Sequence, residues 1–383
     1  MSLDCTLVRA RVLTPEGWSE APVSISQGYI QPTPAGREVD LSGYLVLPGI
    51  VDPHGDGFER HMAPRRGALR EAEHGVVAAA AELAANGITT AVLAQFFSWE
   101  GGMRGPDFAE HVFESVSVVR DTIAVDMRLQ LRLETHLLDE FDRAEAAIER
   151  FGISYVVFND HLPHQRLAEG RKPPRLTGQA LKSGRSPEAH LALMQDLHAR
   201  SSDVPAALDQ LTDRLIRKGL VLGSHDDNTL DDRRVWAKRG ATVSEFPETL
   251  EAAQAARDDG GHIVLGAPNV VRGASHAGNI AASELIACGL CDALASDYHY
   301  PSPLRAAFRI EELGLCDLAK SWDLLSSGPA RLLRLADRGT LETGKRADLI
   351  VVDPETRRVE ATIVAGRVAH LTGVVAERFL NGW

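Results

Sequence analysis

The chain has 383 residues, of which 53 are acidic and 41 are basic, so its formal net charge is −12. A protein that binds nucleic acid electrostatically needs a surplus of lysine and arginine, so this charge argues against that class and we expect no nucleic-acid partner. Hydrophobic residues make up 44% of the chain and charged residues 25%, which is typical of globular proteins. At roughly 100–200 residues per domain, the length suits two or three domains, or one large barrel with appendages.

No segment has the roughly 18 consecutive apolar residues that a membrane helix needs, because the longest uncharged run, 83–99, contains several polar side chains. The first residues, MSLDCTLVRARV, lack a basic segment followed by an apolar block, which argues against a signal peptide. Four cysteines are too few for a disulfide framework in a chain of this length, and they fit a reducing compartment. We therefore expect a cytoplasmic location without membrane contact.

Both ends of the chain contain short strand-like runs separated by turn residues. LVRARVL, APVSIS and YLVLPGI stand near the amino terminus, and ADLIVVD, RRVEATIVAGRVAH and LTGVVAERF stand near the carboxyl terminus. Neither set is large enough to bury a face of its own, so we expect the two sets to pair with each other. Residues 1–47 and 340–383 are predicted to form one small β-sandwich-like domain.

Between the two ends, apolar strand-like runs alternate with amphipathic helical segments. Helices are predicted over 73–85, 140–150 and 250–257, and each is soon followed by a glycine that can end a helix. This α/β alternation is typical of a (β/α)8 barrel, which takes about 250 residues plus insertions. The barrel is predicted to span 48–339, with strands at LVLPGIVDPH, ITTAVLAQ, MRLQLRLETH, ISYVVFNDH, LVLGSHDD, TVSEFP, HIVLGAPN and DALASDYH.

One segment, at about 162–205, interrupts this alternation. It is rich in arginine, lysine, glycine and proline at first, and it becomes helical from 187 to 200. A long insertion after a strand is either a disordered surface segment or a lid over the site. In a barrel, both alternatives would lie on the catalytic face.

Imidazole and carboxylate side chains recur where the predicted barrel strands end. Any one of these residues alone could be an ordinary polar residue that ends a strand. Their number favours a common site, because active sites form at the carboxyl-terminal ends of barrel strands. In His54-x-Asp56 the alternation of a strand directs both side chains to one face. Imidazole and carboxylate groups are ligands of zinc, manganese and iron. We therefore expect one or two divalent ions, with zinc as the favoured metal and manganese or iron as the alternatives. The strand-end residues are His54, Asp56, Glu134, His136, Asp160, His161, His225, Asp226, Asp227, Asp297 and His299.

Several motifs resemble those of the amidohydrolase superfamily, namely the His54-x-Asp56 pair after LPG, the aspartate on the last strand and the tail GTLETGKRADLIVVD. The run 224–310 is more specifically similar to the PhnM family, through SHDDNT, SEFPETLEAA, GAPNVVRGASHAGNIAASEL and LASDYHYPSPLRAAFRI. The resemblance implies a metal-dependent barrel that hydrolyses α-D-ribose 1-methylphosphonate 5-triphosphate to the 5-phosphate and pyrophosphate. That reaction belongs to phosphonate utilisation through the carbon–phosphorus lyase pathway.

The resemblance, carried over position by position, implies a metal-ligand set of His54, Asp56, Glu134, His161, His225 and Asp297. Glu134 would be the carboxylate shared between ions, and Asp297 would take the proton from the attacking water. Counting strands places Glu134 and His161 on strands three and four, whereas the family has the corresponding ligands one strand later. Either a strand lies unrecognised between 95 and 128, or GAPN is not part of a barrel strand.

A polyphosphate hydrolase also needs cationic and amide donors close to the metals. The resemblance points to the glycine-rich segment from 266, where a helix with free N–H donors is predicted to start after Gly278. Read alone, this segment is an ordinary polar loop. His276 is also the candidate for the residue nearest the leaving group, and Glu245 is expected to orient a metal ligand. The predicted phosphate-binding residues are Asn269, Arg272, Ser275, His276, Asn279 and Arg65.

Two other functions are alternatives. A conventional amidohydrolase would cut a C–N bond in a cyclic amide, or in an N-acyl group as an N-deacetylase does, and it would need no triphosphate cradle. A non-catalytic barrel scaffold would have lost ligands that this chain retains. The expected partner is a small phosphorylated substrate, and the edge strands of the terminal β domain favour a homodimer.

Overall fold

The structure, a computed structural model, describes residues 2–63, 71–273 and 279–380. Residues 5–48 contain seven short strands, because β-branched and apolar residues alternate there with turn residues. Gln27 and Gly28 make one of these turns, with φ of 53° and 85°. The strands are β1 (Cys5–Val8), β2 (Arg11–Thr14), β3 (Gly17–Ser19), β4 (Val23–Ser26), β5 (Tyr29–Gln31), β6 (Arg37–Asp40) and β7 (Leu45–Pro48).

The next eight strands form one parallel sheet in which neighbours follow chain order. A parallel bridge between Gly55 and Asp297 links the first strand to the chain just after the last, so the sheet closes as a barrel. All ten residues of the second strand are buried, as expected of a parallel strand covered on both faces. The predicted (β/α)8 fold is confirmed. The strands are β8 (Ile50–Gly55), β9 (Ile88–Phe97), β10 (Asp126–Glu134), β11 (Tyr155–Asn159), β12 (Val221–His225), β13 (Val243–Glu245), β14 (His262–Gly266) and β15 (Ala293–Ala295).

Helices lie between the barrel strands and after them. The fourth one, at Phe141–Phe151, shows how the sequence sets its bounds, because Ala144, Ile148 and Phe151 bury one face and Gly152 ends the helix at φ 65°. The helices are α1 (Glu59–Met62), α2 (Ala72–Ala85), α3 (Pro106–Val119), α4 (Phe141–Phe151), α5 (His164–Ala168), α6 (Leu176–Ser183), α7 (Pro187–Ala199), α8 (Val204–Arg217), α9 (Leu230–Lys238), α10 (Leu250–Asp258), α11 (Ala267–Arg272), α12 (Ala282–Ala287), α13 (Ser302–Glu312), α14 (Leu318–Asp323), α15 (Ser327–Leu332) and α16 (Gly373–Leu380). Within the described ranges, none of these helices is long and apolar enough to cross a membrane.

The carboxyl-terminal strands are β16 (Leu349–Val352), β17 (Val359–Val364) and β18 (Arg367–Leu371). β16 pairs antiparallel with β7, in a register that sets Leu349 opposite Pro48. The resulting six-stranded sheet has the order β18-β17-β16-β7-β2-β3, and a second sheet has the order β5-β4-β1-β6. Side chains from both ends of the chain, including Ile25 and Ile363, share one apolar core. The predicted pairing of the two terminal segments is therefore confirmed.

The insertion after β11 folds into helices α5, α6 and α7. Six side chains from this segment and its surroundings form an apolar cluster, namely Trp99, Leu162, Leu167, Leu176, Met194 and Leu197. Burial of these side chains supplies the stabilisation that a disordered segment lacks. The alternative of a disordered surface segment is therefore wrong.

The structure also settles the strand count. The chain between β9 and β10, all of which the structure describes, contains α3 and no strand. Of GAPN, only Gly266 lies in β14, and the other three residues begin α11. The first explanation is therefore wrong, and the second holds for all of GAPN except its glycine. The mismatch with the family remains, because HIVLG still forms a strand, Glu134 ends the third barrel strand and His161 follows the fourth.

Contacts within the chain define two compact units. The first comprises 1–93, 118–128 and 262–383, and the second comprises 94–117 and 129–261. The first unit contains β8 and β15 with the residues that follow them. The second contains the end of β10, residues 129–134, together with β11, β12 and β13. Each unit thus has its own group of polar strand ends.

Candidate active site

In the first unit, the ends of β8 and β15 run side by side. The Asp297 N–H donates to the His54 carbonyl at 3.0 Å, and the Asp56 N–H donates to the Asp297 carbonyl at 2.9 Å. His54 is fully buried. These backbone hydrogen bonds bring three residues of the predicted metal set, His54, Asp56 and Asp297, into adjacent positions.

A buried carboxylate two residues before His54 links these two strand ends. Asp52 accepts hydrogen bonds from the Ser296 N–H at 2.9 Å and from its hydroxyl at 2.6 Å. Burial raises the pKa of Asp52 to about 6, although the Ser296 hydrogen bonds act in the opposite direction. A Cβ at position 55 would lie 2.9 Å from both Asp52 Oδ2 and Ser296 Oγ. A glycine between His54 and Asp56 therefore leaves room for this hydrogen-bonded support.

Three residues at barrel strand ends adopt the left-handed backbone conformation that non-glycine residues rarely adopt. They are Asp226 after β12, Phe246 after β13 and Asp297 after β15, with φ of 59°, 54° and 55°. Such backbone strain costs of order 1–3 kcal/mol per residue, and it concentrates at functional sites. The strained positions coincide with the strand ends at which the sequence predicts chemistry.

The second unit contains a carboxylate–imidazole cluster, which we define as Glu100, Glu134 and His161. Glu134 is fully buried, and it accepts hydrogen bonds from Trp99 Nε1 at 3.1 Å and from the His161 N–H at 3.2 Å. Its other oxygen contacts His161 Nδ1. Burial lowers the pKa of His161, but the hydrogen bond and charge of Glu134 outweigh burial and raise it overall.

Glu100 completes this cluster, since its Oε1 lies 3.9 Å from His161 Nδ1. One ligand atom from each of the three residues lies within 4.8 Å of the other two. Two carboxylates and an imidazole are a donor set that zinc, manganese and iron all accept. The carboxylate–imidazole cluster therefore fits a divalent metal ion, and it contains two residues of the predicted metal set, Glu134 and His161.

His225, at the end of β12, lies between a cation and an anion. Arg132 Nη2 lies 3.0 Å from His225 Nε2, and His225 Nδ1 lies 2.9 Å from Asp226 Oδ2. The Arg132 guanidinium is held over the Phe96 ring at 3.9 Å. Burial raises the pKa of Asp226, but the charge and hydrogen bond of His225 outweigh it and lower the pKa overall.

Glu245, which we expected to orient a ligand, is fully buried at the end of β13. It accepts hydrogen bonds from Gln130 Nε2 at 2.7 Å and from the Tyr155 hydroxyl at 2.6 Å. Burial and the Glu245 charge raise the pKa of Tyr155 well above its ordinary value, so the phenol stays a donor. These bonds fix one carboxylate oxygen of Glu245 among the strands of the second unit.

The predicted phosphate-binding segment is only partly described. Asn269 and Arg272 lie on α11, and Asn269 Oδ1 accepts the Ala282 N–H at 3.1 Å. The helix α12 therefore begins at Ala282, and its first N–H is already bonded. Arg272 lies 6.0 Å from the centre of the Tyr298 ring, and Asn279 is described at the start of the following segment. The remaining predicted residues, Ser275, His276 and Arg65, lie outside the described residues.

Two residues of these clusters were missed by sequence reasoning. Glu100 follows β9. We expected this strand to end at Gln95, but it continues to Phe97. Applying the strand-end criterion to the true end would have included Glu100. Arg132 has no such signal, because it stands inside β10 and a charged residue there indicates a solvent-facing position.

Comparison with known proteins identifies the family. An amidohydrolase family model matches residues 194–370, and α-D-ribose 1-methylphosphonate 5-triphosphate diphosphatase of Escherichia coli is 33% identical over 327 residues, covering 82% of this chain and 84% of that one. Two solved structures share the fold. β-Aspartyl dipeptidase of Fervidobacterium islandicum has a TM-score of 0.58 at 15% identity and covers 97% of this chain and 99% of its own. N-acyl-D-glutamate deacylase of Bordetella bronchiseptica has a TM-score of 0.61 at 13% identity, with 96% of both chains covered.

The curated relative and the family model agree with each other and with the barrel described above. Identity of one third over more than four fifths of both chains is family-level similarity. The chain therefore belongs to the amidohydrolase family of hydrolases and, within it, to the PhnM family.

Proposed function

We propose that this chain hydrolyses α-D-ribose 1-methylphosphonate 5-triphosphate to the 5-phosphate and pyrophosphate, in phosphonate utilisation. The observation that carries the proposal is its family-level identity to the Escherichia coli enzyme named for this reaction. The carboxylate–imidazole cluster supports the metal dependence, because its donors fit a divalent ion. No described feature favours a C–N bond as the substrate over a phosphoric anhydride.

One or two divalent ions, with zinc as the favoured metal, would be held by residues of the predicted set: His54, Asp56, Glu134, His161, His225 and Asp297. Such an ion neutralises phosphoryl oxygens and activates water at neutral pH. Within the set, the buried Glu134 is kept in place by the Trp99 N–H and the His161 backbone. Preorganised ligands of this kind lose little entropy when an ion binds.

In the proposed reaction, the water oxygen forms a bond to the phosphorus nearest the ribose, and the bond from that phosphorus to the bridging oxygen breaks. Pyrophosphate leaves with the bridging oxygen, and the water proton passes to the Asp297 carboxylate. The phosphates would be oriented by the predicted phosphate-binding residues, namely Asn269, Arg272, Ser275, Asn279 and Arg65. His276 would stand nearest the leaving group.

The test is phosphorus NMR of the products after incubation of the substrate with the chain and a divalent metal. We expect pyrophosphate together with the ribose 5-phosphate product. Orthophosphate released three times in succession, or no turnover, would contradict the proposal. Hydrolysis of N-acyl or cyclic amide substrates without turnover of the triphosphate would establish the conventional amidohydrolase instead.

Two variants sharpen this test. Asp297→Asn removes the proposed proton acceptor, so we expect loss of turnover with substrate binding retained. Arg272→Ala should weaken triphosphate turnover, whereas Arg234→Ala, an exposed arginine on α9, should leave it unchanged. Equal activity of the Arg272→Ala and Arg234→Ala variants would remove Arg272 from the phosphate-binding set.

We also propose a cytoplasmic location and a homodimer. The dimer proposal is supported by the edges of the six-stranded sheet, where β3 and β18 each pair with one neighbour among the strands that the structure describes. Sedimentation of the purified chain at several concentrations measures the oligomeric state. A monomer at all of them would contradict the dimer.

A further inference from the structure

A second group of imidazoles lies in the same unit, apart from the carboxylate–imidazole cluster. We call it the imidazole cluster and define it as His136, Asp160, His164 and His198. His136 Nδ1 lies 3.6 Å from Asp160 Oδ1, and His164 Nε2 lies 3.0 Å from Asp160 Oδ2. The rings of His136 and His164 have centroids 4.7 Å apart. Two imidazoles therefore converge on one carboxylate.

The ligand atoms of His136, Asp160 and His164 all lie within 4.8 Å of one another. In a tetrahedral site with bonds of about 2.0–2.2 Å, ligand atoms are separated by roughly 3.3–3.6 Å. One oxygen of Asp160, Oδ1, lies 3.6 Å from His136 Nδ1 and 3.2 Å from His164 Nε2, which is close to this separation. Small side-chain rotations of His136 and His164 would then suffice to admit an ion.

Each imidazole also has a partner on its other nitrogen. His136 Nε2 lies 3.2 Å from the Ser201 hydroxyl, which in turn donates to the His198 carbonyl at 2.7 Å. His164 Nδ1 lies 2.8 Å from His198 Nδ1. Histidines that bind metals nearly always use the second nitrogen in this way, because the outer hydrogen bond fixes the tautomer and the ring orientation.

The cluster is closed on one side and open on the other. The His136 side chain is 6% exposed, whereas the side chains of Asp160 and His164 are 40% and 35% exposed. A pocket of about 320 Å³ is lined by His136, Asp160 and His161 among other residues. An ion held by three ligands would therefore keep a fourth position accessible from solvent, as catalytic zinc sites do.

We propose that the imidazole cluster is an additional site for a divalent transition-metal ion. His136 Nδ1, an Asp160 oxygen and His164 Nε2 are the ligands, and His198 and Ser201 are the residues that orient the two imidazoles. The site is separate from the set of ions proposed for hydrolysis, and it uses none of the six ligands assigned there. Its fourth position faces the pocket and takes water or an oxygen of a phosphorylated ligand.

The test counts metal ions on the full chain and needs no substrate. Protein stripped by a chelator is titrated with Co²⁺, whose visible absorption reports four-coordinate sites, and bound cobalt is measured after gel filtration. We expect His136→Ala and His164→Ala each to bind one ion fewer than the unmodified chain. His111→Ala, which removes an exposed histidine on α3, should bind the full number. Equal numbers in all four proteins would overturn the proposal.

A second measurement on the unmodified chain guards against variants that fold poorly. Diethyl pyrocarbonate modifies accessible imidazoles, so mass spectrometry should find His164 modified in the stripped protein and protected once Zn²⁺ is added. His164 modified equally in both conditions would also overturn the proposal. Glu134→Gln separates the two metal proposals, because it should lower the ion count while zinc still protects His164.

Discussion

Arg233→Met tests how the strand ends of the second unit are held in place. Arg233 lies on α9, is 1% exposed, and donates to Ser224 Oγ at 2.6 Å and to the Ala241 carbonyl. Its Nη1 also lies 3.6 Å from Asp227 Oδ2. Asp227 accepts the hydroxyls of Ser224 and Ser244, both at 2.7 Å. One buried ion pair thus connects the ends of β12 and β13.

The expected cost follows from what Arg233→Met leaves behind. Methionine fills much of the same volume, so the main loss is electrostatic, and Asp227 stays buried without its cation. Breaking a buried pair in this way costs about 3–5 kcal/mol of unfolding free energy. Asp227→Asn in the same chain removes the unpaired charge while the amide oxygen still accepts the serine hydroxyls. The double variant should therefore be less destabilised than the sum of the single ones, with a coupling of about 2–3 kcal/mol.

The assay is urea-induced unfolding followed by circular dichroism, for both single variants and the double variant. Arg234→Met is the matched control, since Arg234 is the exposed neighbour. This substitution should change the free energy of unfolding by no more than about 0.5 kcal/mol. A cost of less than about 1 kcal/mol for Arg233→Met, or additive costs in the double variant, would refute this account of the strand ends.

Three further changes have expected outcomes. Glu134→Gln should lower metal content and reduce hydrolysis by more than the 10–100-fold that loss of an outer partner costs, measured by mass spectrometry and turnover. Gly55→Ala should cost about 1–3 kcal/mol in thermal unfolding, because its Cβ would meet Asp52 Oδ2 at 2.9 Å. Burial raises the pKa of Cys5 from 9.0 to about 11; the thiol's contribution to stability is therefore complete below pH 9 and lost as pH rises through 11. The difference in unfolding free energy between the unmodified chain and Cys5→Ala should fall over that range.

The barrel could be predicted because its strands are buried and therefore apolar in sequence. β9 illustrates this, since all ten of its residues are buried. β10 shows where the same reasoning fails. The alternation in DMRLQLRLE indicates a half-exposed strand, yet Gln130 and Arg132 are fully or nearly fully buried. Gln130 Nε2 donates to Glu245, and Arg132 Nη2 contacts His225; both partners lie over 90 positions away in the chain.

The strand-end criterion predicted several residues that the structure brings together, because it depends only on where each strand stops. It identified Glu134, His161 and Asp160 from local sequence. His164 and His198 have no comparable signal, since both belong to the helices of the insertion. Their contact at 2.8 Å depends on how α5 packs against α7, and packing between elements cannot be derived from a single sequence.

The net charge of the chain does not predict which ions the polar clusters at the strand ends attract. Glu134, Asp160 and Asp226 each contact an imidazole, so the clusters are donor sets that attract cations rather than anions. A triphosphate carries several negative charges, and such donor sets bind it only with cations between ligand and protein. Pyrophosphate should therefore bind the metal-loaded chain far more tightly than the chelator-stripped chain, as measured by isothermal titration calorimetry. Equal affinity in both forms would show that arginine and amide donors, and not metal ions, hold the polyphosphate.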